Sequence, residues 1–415
     1  MIDVRAGRQD PSPWWVATIC GMASFIDAIA VVAAGSALVL YQQALRLTNS
    51  QFGVMSSILQ LSIAVGAVVG GRLGDTYGRR KIFSITMVAI IVAMVILVAS
   101  SNWLVLCVAL ALAGLGIGGD LPVSLATVGE YASEENRGKL VGLSQVLWTA
   151  GLMAGAGVAA VFGAYGYTGG RIIFGVVGAV AVLVFLGRLT VAESRDWLDA
   201  RERRQAGLGV EEDRIGVASL FSREYRRPFL ALLVFYSLIN IGFYVNAQFG
   251  TWVNVNVIHL SVRESSIITG TMFVLGIIAN LAFLRVVDTR WRMSAFYAGA
   301  VMIVFSYAVY TIFGFSVVTL VLFQGLLNIG CGFASEGIMK VWTQESFPTL
   351  MRSTAQGSIL FVARIAASIV ALFTANLIAL SPRGSFAGLS LVALIGMVVV
   401  VAGLGSRARG AVRDR

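Results

Sequence analysis

Long apolar runs separated by short polar ones set the pattern of this chain. A bilayer core takes about 20 apolar residues per helix. Twelve runs qualify, at roughly 14–41, 51–71, 82–100, 103–130, 139–163, 171–192, 227–257, 264–287, 293–314, 316–342, 353–376 and 384–406. Backbone at that depth must satisfy its own polar groups, so each run predicts a helix. The first run is too long for a signal-peptide core and predicts a retained span. The longest polar interval, 193–226 (beginning ESRDWLDARERRQAGLGVEEDR), divides the runs six and six and predicts short amphipathic helices. The expected fold is an all-α membrane protein of twelve transmembrane helices in two pseudo-symmetric six-helix halves. These halves are residues 1–192 and 227–415, joined by a cytoplasmic linker at 193–226.

Weak internal repetition supports the halves. GDTYGRR at 74–80 has an echo in VDTRWRM at 287–293, an offset of 213. Glu130 precedes Arg137 by seven residues and Glu345 precedes Arg352 by seven, an offset of 215. Duplicated halves suit a transporter with a site near the bilayer midplane.

Composition agrees: 58% of the 415 residues are hydrophobic and 13% are charged, against roughly 25% charged in soluble domains. The net charge of +10 would suit a nucleic-acid partner, but its distribution argues otherwise. With the N-terminus inside, 24 Lys and Arg fall in cytoplasmic segments and four in outer ones, Arg46, Arg171, Arg263 and Arg383. That bias places both termini in the cytoplasm and the chain in the cytoplasmic membrane, with no nucleic-acid partner. The three cysteines lie in apolar segments and read as packing residues. The lone His259 offers no metal constellation. The glycines at 114–119 follow no strand and lack the lysine of a nucleotide loop. No metal, no cofactor and no enzymatic activity is expected; gradient coupling is favoured over nucleotide-driven pumping.

GRLGDTYGRRK (71–81), between the second and third spans, resembles the G-x-x-x-D-R-x-G-R-R signature loop of the major facilitator superfamily. Thr76 stands where that motif has a basic residue, and Trp291 replaces the glycine in the second copy. EYASEENRGK (130–139), ESFPTLMRSTAQG (345–357) and ESRDWL (193–198) are similar to the loops of its sugar and metabolite porters. GIGGDLPVS (116–124) resembles the span-four motif of the metabolite:proton, phosphate and synaptic-vesicle-type branches. FIDAIA (25–30) resembles their span-one F-x-D-x-x-D, with Ala30 at the second acid. The run from Ser12 to Gln42 resembles inositol and sugar porters. The drug-exporter motif of span five is not matched, since AGLMAGAGVAAVFGA (150–164) lacks its proline. The resemblance implies a cavity lined by spans one, four, seven and ten. It also implies a cytoplasmic latch built from Asp75, Arg79, Arg80, Glu130, Arg137, Glu345 and Arg352.

Three acids lie well inside spans: Asp27, Asp120 and Glu336. Such residues face a cavity or a partner and are functional candidates. Low dielectric disfavours the charged form of a carboxyl, so Asp27 and Asp120 suit proton coupling; a structural bond is the alternative for each. Pro122 is expected to disturb the helix beside Asp120. Glu336 and Lys340 are four apart and share a helix face. At the repeat offsets Asp120 maps to Ser335, beside Glu336, and Asp27 maps to Asn240. Asn240, Tyr244 and Gln248 recur every four residues on span seven, offering uncharged donors and acceptors suited to hydroxyl-rich ligands. Trp148, Gln145, Glu336 and Arg364 complete the candidate substrate contacts. Trp252 and Trp342 could stack a sugar-like ring, but their places near span ends favour the reading as interface anchors.

The expected function is proton-coupled uptake of a small polyhydroxylated metabolite, inositol or a sugar, by alternating access. The alternatives are uptake of an organic anion, with Arg364 or Lys340 as counter-ion, and efflux of an amphipathic compound. The expected partners are the small-molecule substrate, the proton and the bilayer, with the chain acting as a monomer.

Overall fold

The computed structural model describes residues 12–132, 137–193, 197–198, 202, 217–287 and 289–404. Among them are thirteen α-helices and no strand. The first six are α1 (Pro13–Leu45), α2 (Asn49–Tyr77), α3 (Arg79–Ala99), α4 (Trp103–Tyr131), α5 (Arg137–Phe162) and α6 (Gly166–Arg188). The rest are α7 (Arg226–Asn256), α8 (Val262–Val286), α9 (Arg292–Phe313), α10 (Val317–Ala334), α11 (Glu336–Ser346), α12 (Thr349–Leu380) and α13 (Pro382–Leu404).

Eleven continuous helical stretches are long and apolar enough to cross a membrane. One of them, Leu143–Arg188, has 46 residues, about 69 Å at 1.5 Å per residue, twice what a ~30 Å core holds. It reverses at a 3₁₀ turn, Gly163–Tyr165, followed by Gly166 at φ 55°, and is two spans. With α10 and α11 as the tenth span, the fold is the expected twelve. Short loops force abrupt starts. Asn102 caps α4 by accepting from the Leu104 and Val105 amides, and Ser261 and Glu264 form a capping box on α8.

The chain packs as two compact units. One comprises residues 1–30, 62–154 and 174–209; the other comprises 31–61, 155–173 and 210–415. Besides the change at 209/210 within the 193–226 interval, the boundary runs through α1, α2, α5 and α6. Ends of these four helices belong with the later helices because their backbones pack closely there. Gly35 lies against the Ala247 and Gln248 carbonyls, Gly53 against those of Ala371 and Leu372, and Gly163 against Val262 and Arg263. Most of the 193–226 interval lies outside the described residues; Val217–Phe221 within it is a 3₁₀ helix.

In the first unit, α2 and α4 meet on glycines. Gly70 lies against Gly119, and Gly118 against the Ile63 carbonyl. The repeat recurs in the second unit, where Gly332 of α10 lies against Ala279 and Asn280 of α8. The two copies diverge at one point. Helix α4 runs unbroken through Pro122, so the disturbance expected there does not interrupt it. Its repeat mate breaks instead, at Ser335, where φ is −133° and ψ is −125°.

Candidate functional site

In the second unit, the break at Ser335 starts α11 with Glu336, an acid in the first turn, where the helix dipole favours it. The expected i, i+4 pair forms: Lys340 Nζ lies 2.7 Å from Glu336 Oε1, both side chains about one-third exposed (36% and 33%). Tyr236 of α7 donates its hydroxyl to Glu336 Oε2 at 3.2 Å. Arg364 is half-buried on α12.

Asn240 and Gln248 are buried on the same helix as Tyr236, and Tyr244 between them is half-buried. Asn240 Oδ1, Gln248 Oε1 and Ser237 Oγ have no hydrogen-bond partner among the described residues. The Gln248 amide nitrogen donates to the Val31 carbonyl at 3.4 Å. Neither end tryptophan is an interface anchor. Trp342 is 2% exposed and packs edge-on against Phe296 and Phe235, at 4.9 and 6.0 Å. Trp252 is 3% exposed, and its indole donates to Gln42 Oε1 at 2.9 Å.

In the first unit, Asp120 is 1% exposed and bound by Arg188 of α6, itself fully buried. Arg188 Nη1 donates to Asp120 Oδ1 and Nη2 to Oδ2 at 2.9 Å, a bidentate pair. The Thr86 and Ser124 hydroxyls add bonds to Oδ1 at 3.3 and 3.2 Å. The guanidinium lies 5.3 Å from the Phe83 ring centroid. Asp27 is buried on α1 at 4% exposure. On α5, Trp148 is half-buried and Gln145 exposed.

The loop residues converge differently from their spacing. Arg79 Nη1 meets Asp75 at 2.5 Å, and its Nη2 and Nε meet Glu130 Oε1 at 3.1 and 3.2 Å. Glu193 accepts the Arg79 amide at 2.8 Å and the Arg80 amide at 3.2 Å, closing the N-terminus of α3. Gly78 allows this at φ 105°, where a Cβ would come within 2.6 Å of Glu193 Oε2. Trp197 donates to the Asp75 carbonyl at 3.0 Å, and Arg80 Nη2 reaches the Leu189 carbonyl at 3.5 Å. In the second unit Glu345 pairs with Arg292 at 2.7 Å, while Arg352 donates to the Phe347 carbonyl at 3.0 Å. Glu130 and Glu345 thus bind arginines at equivalent repeat positions, Arg79 and Arg292. Arg137 opens α5, but its side chain lies outside the described residues.

The model of the Major Facilitator Superfamily matches residues 20–371 of this chain. The chain belongs to the major facilitator superfamily. It is a membrane transporter, not an enzyme. It is 26% identical over 375 residues to the minor myo-inositol transporter IolF of Bacillus subtilis, covering 89% of this chain and 85% of that one. It is 27% identical over 216 residues to the niacin transporter NiaP of Acinetobacter baylyi, covering 46% and 49% of the two chains. Among solved structures, a D-xylose-proton symporter matches with a TM-score of 0.74 at 18% identity, over 92% of this chain and 96% of that one, a likeness of fold.

Four participants in this superfamily member carry no role in the sequence reading: Arg188, Arg292, Tyr236 and Glu193. Arg188 had a signal, being one of three cations within spans beside three acids. The others bind partners on distant elements, which spacing along the chain does not reveal.

Proposed function

We propose that this chain is a proton-coupled symporter that takes up a small polyhydroxylated metabolite, inositol or a sugar, across the cell membrane by alternating access. The buried, uncharged face of α7 carries the reading. Asn240 Oδ1 and Gln248 Oε1 lack partners among the described residues, and burying such groups unpaired costs about 1–3 kcal/mol each. Substrate hydroxyls would satisfy them, with half-buried Tyr244 between them on the same helix. The inositol transporter named above, matched over most of both chains, supports the same class.

In this reading Asp27 carries the proton. Asp120 is held by a guanidinium and two hydroxyls, a setting for a fixed charge. The halves 1–192 and 227–415 rock about the site, with both termini cytoplasmic by the Lys and Arg bias. Asp75, Arg79, Arg80, Glu130, Arg137, Glu345 and Arg352 latch the cytoplasmic side, and one chain is the working unit. The alternative reading is uptake of an organic anion, with Lys340 or Arg364 as counter-ion.

Uptake of labelled myo-inositol into proteoliposomes under an imposed inward proton gradient tests the proposal. Polyols and sugars should compete, carboxylates should not, and accumulation should collapse when the gradient is dissipated. Competition by carboxylates and not polyols would overturn the substrate class, and uptake indifferent to the gradient would overturn the coupling.

A further inference from the structure

The second unit holds buried polar groups on α2 that the proposed mechanism does not use. Gln60 is 1% exposed, and neither its amide nitrogen nor its oxygen has a partner among the described residues. The Ser56 hydroxyl, one turn away and fully buried, has none either. Buried polar side chains are hydrogen-bonded in the great majority of cases, and an amide with both ends unmet is the stronger exception. Among the described unpartnered side chains, Gln60 is the one carboxamide with neither end satisfied. Its neighbours Leu59 and Ile63 are buried and apolar, so a leucine would suit packing alone.

Contacts within the unit set its depth. Phe52 of α2 meets Phe249 of α7 edge-on at 5.4 Å. Ser57 donates to the Ser368 carbonyl of α12 at 2.8 Å, and Ser368 donates back to the Ser57 carbonyl at 3.1 Å. Counting away from the 46–48 loop at 1.5 Å per residue, the first contact puts Gln60 level with Ile241, one residue from Asn240. The second puts it within one residue of the level of Arg364. Gln60 therefore shares the depth of the α7 amide face.

We propose that Gln60 is a specificity-determining substrate contact. Its carboxamide completes, from α2, the uncharged donor and acceptor set that Asn240 and Gln248 present from α7, and it recognises one hydroxyl of a polyhydroxylated substrate. The inference rests on the substrate class proposed above.

The test is uptake kinetics of myo-inositol and its mono-deoxy isomers in proteoliposomes holding wild type, Gln60→Leu or Gln60→Asn. Gln60→Leu should raise the KM for myo-inositol about tenfold with little change in kcat, the loss expected for one hydrogen-bonding partner. The penalty for removing one particular hydroxyl, present in wild type, should vanish in Gln60→Leu, while penalties at the other positions persist. Gln60→Asn should fall between, and it carries the test if the leucine variant does not fold. An unchanged KM overturns the inference. So does a rise that leaves every deoxy penalty intact, because that pattern marks packing. If wild type transports neither inositol nor sugars, the proposed function falls and this inference with it, an outcome read on wild type alone.

Discussion

The fourth and tenth spans occupy equivalent places in the sequence repeat and treat their acids in opposite ways. In the fourth, α4 is continuous, Asp120 is 1% exposed, and Arg188 holds it with both guanidinium arms inside a shell of hydroxyls. In the tenth, the helix breaks at Ser335, and Glu336 shares a pair with Lys340 that is about one-third exposed. A fully buried pair cannot lose one member cheaply, whereas a one-third-exposed pair at a helix break can exchange partners with solvent or ligand. In the proposed function the fourth span is a fixed post, and the tenth has the parts of a moving one. The helix break falls where the proline is absent. Close glycine packing supports α4 on both sides of Asp120, while Ser335 has its hydroxyl turned back to the Cys331 carbonyl at 2.6 Å.

The largest effect expected from breaking this contrast is at the buried pair. Asp120→Ala or Arg188→Ala should each destabilise the protein by about 3–5 kcal/mol, because the partner is left charged and buried. Thermal unfolding in detergent measures it. The double variant Asp120→Leu/Arg188→Met should recover most of the loss; single variants that melt like wild type would refute the fixed post. Next come the matched glycines. Gly118→Ala and Gly332→Ala should cost about 1–3 kcal/mol each by overpacking against neighbouring backbone, and similar losses would confirm that the repeat persists in packing.

Glu336→Gln should cost at most about 1 kcal/mol, the range of partly exposed pairs. Its transport rate should fall far more than its melting temperature. A stability loss matching that of Asp120→Ala would erase the contrast. The smallest effect on stability is expected at Asp75→Asn, where the exposed acid meets Arg79. Transport should drop while membrane insertion is retained, and wild-type uptake would remove Asp75 from the latch.

What was legible in the sequence was what local spacing controls. Apolar runs located the spans, and the four-residue interval from Glu336 to Lys340 named a pair that forms. The bond between Asp120 and Arg188 joins residues 68 apart, and Arg79 reaches Glu130 across 51 residues; packing of distant helices chooses such partners. The break at Ser335 carries only weak local signals, the flanking Gly332 and Gly337 and a serine whose hydroxyl turns back to the Cys331 carbonyl. Pro122 is a breaker by chemistry, yet neighbouring helices support the span around it. The loop ESRDWL was visible as a motif, but the capping of α3 by Glu193 depends on Gly78 adopting a positive φ.

In the proposed function Asp27 moves the proton while Asp120 stays a fixed charge. Substrate-driven proton uptake, followed with a pH-sensitive dye in proteoliposomes, tests it most directly by comparing Asp27→Asn with Asp120→Leu/Arg188→Met. Asp27→Asn should abolish proton movement and gradient-driven accumulation while still exchanging substrate, and the double variant should keep its proton flux. Proton flux that survives in Asp27→Asn and disappears in the folded double variant would contradict the account.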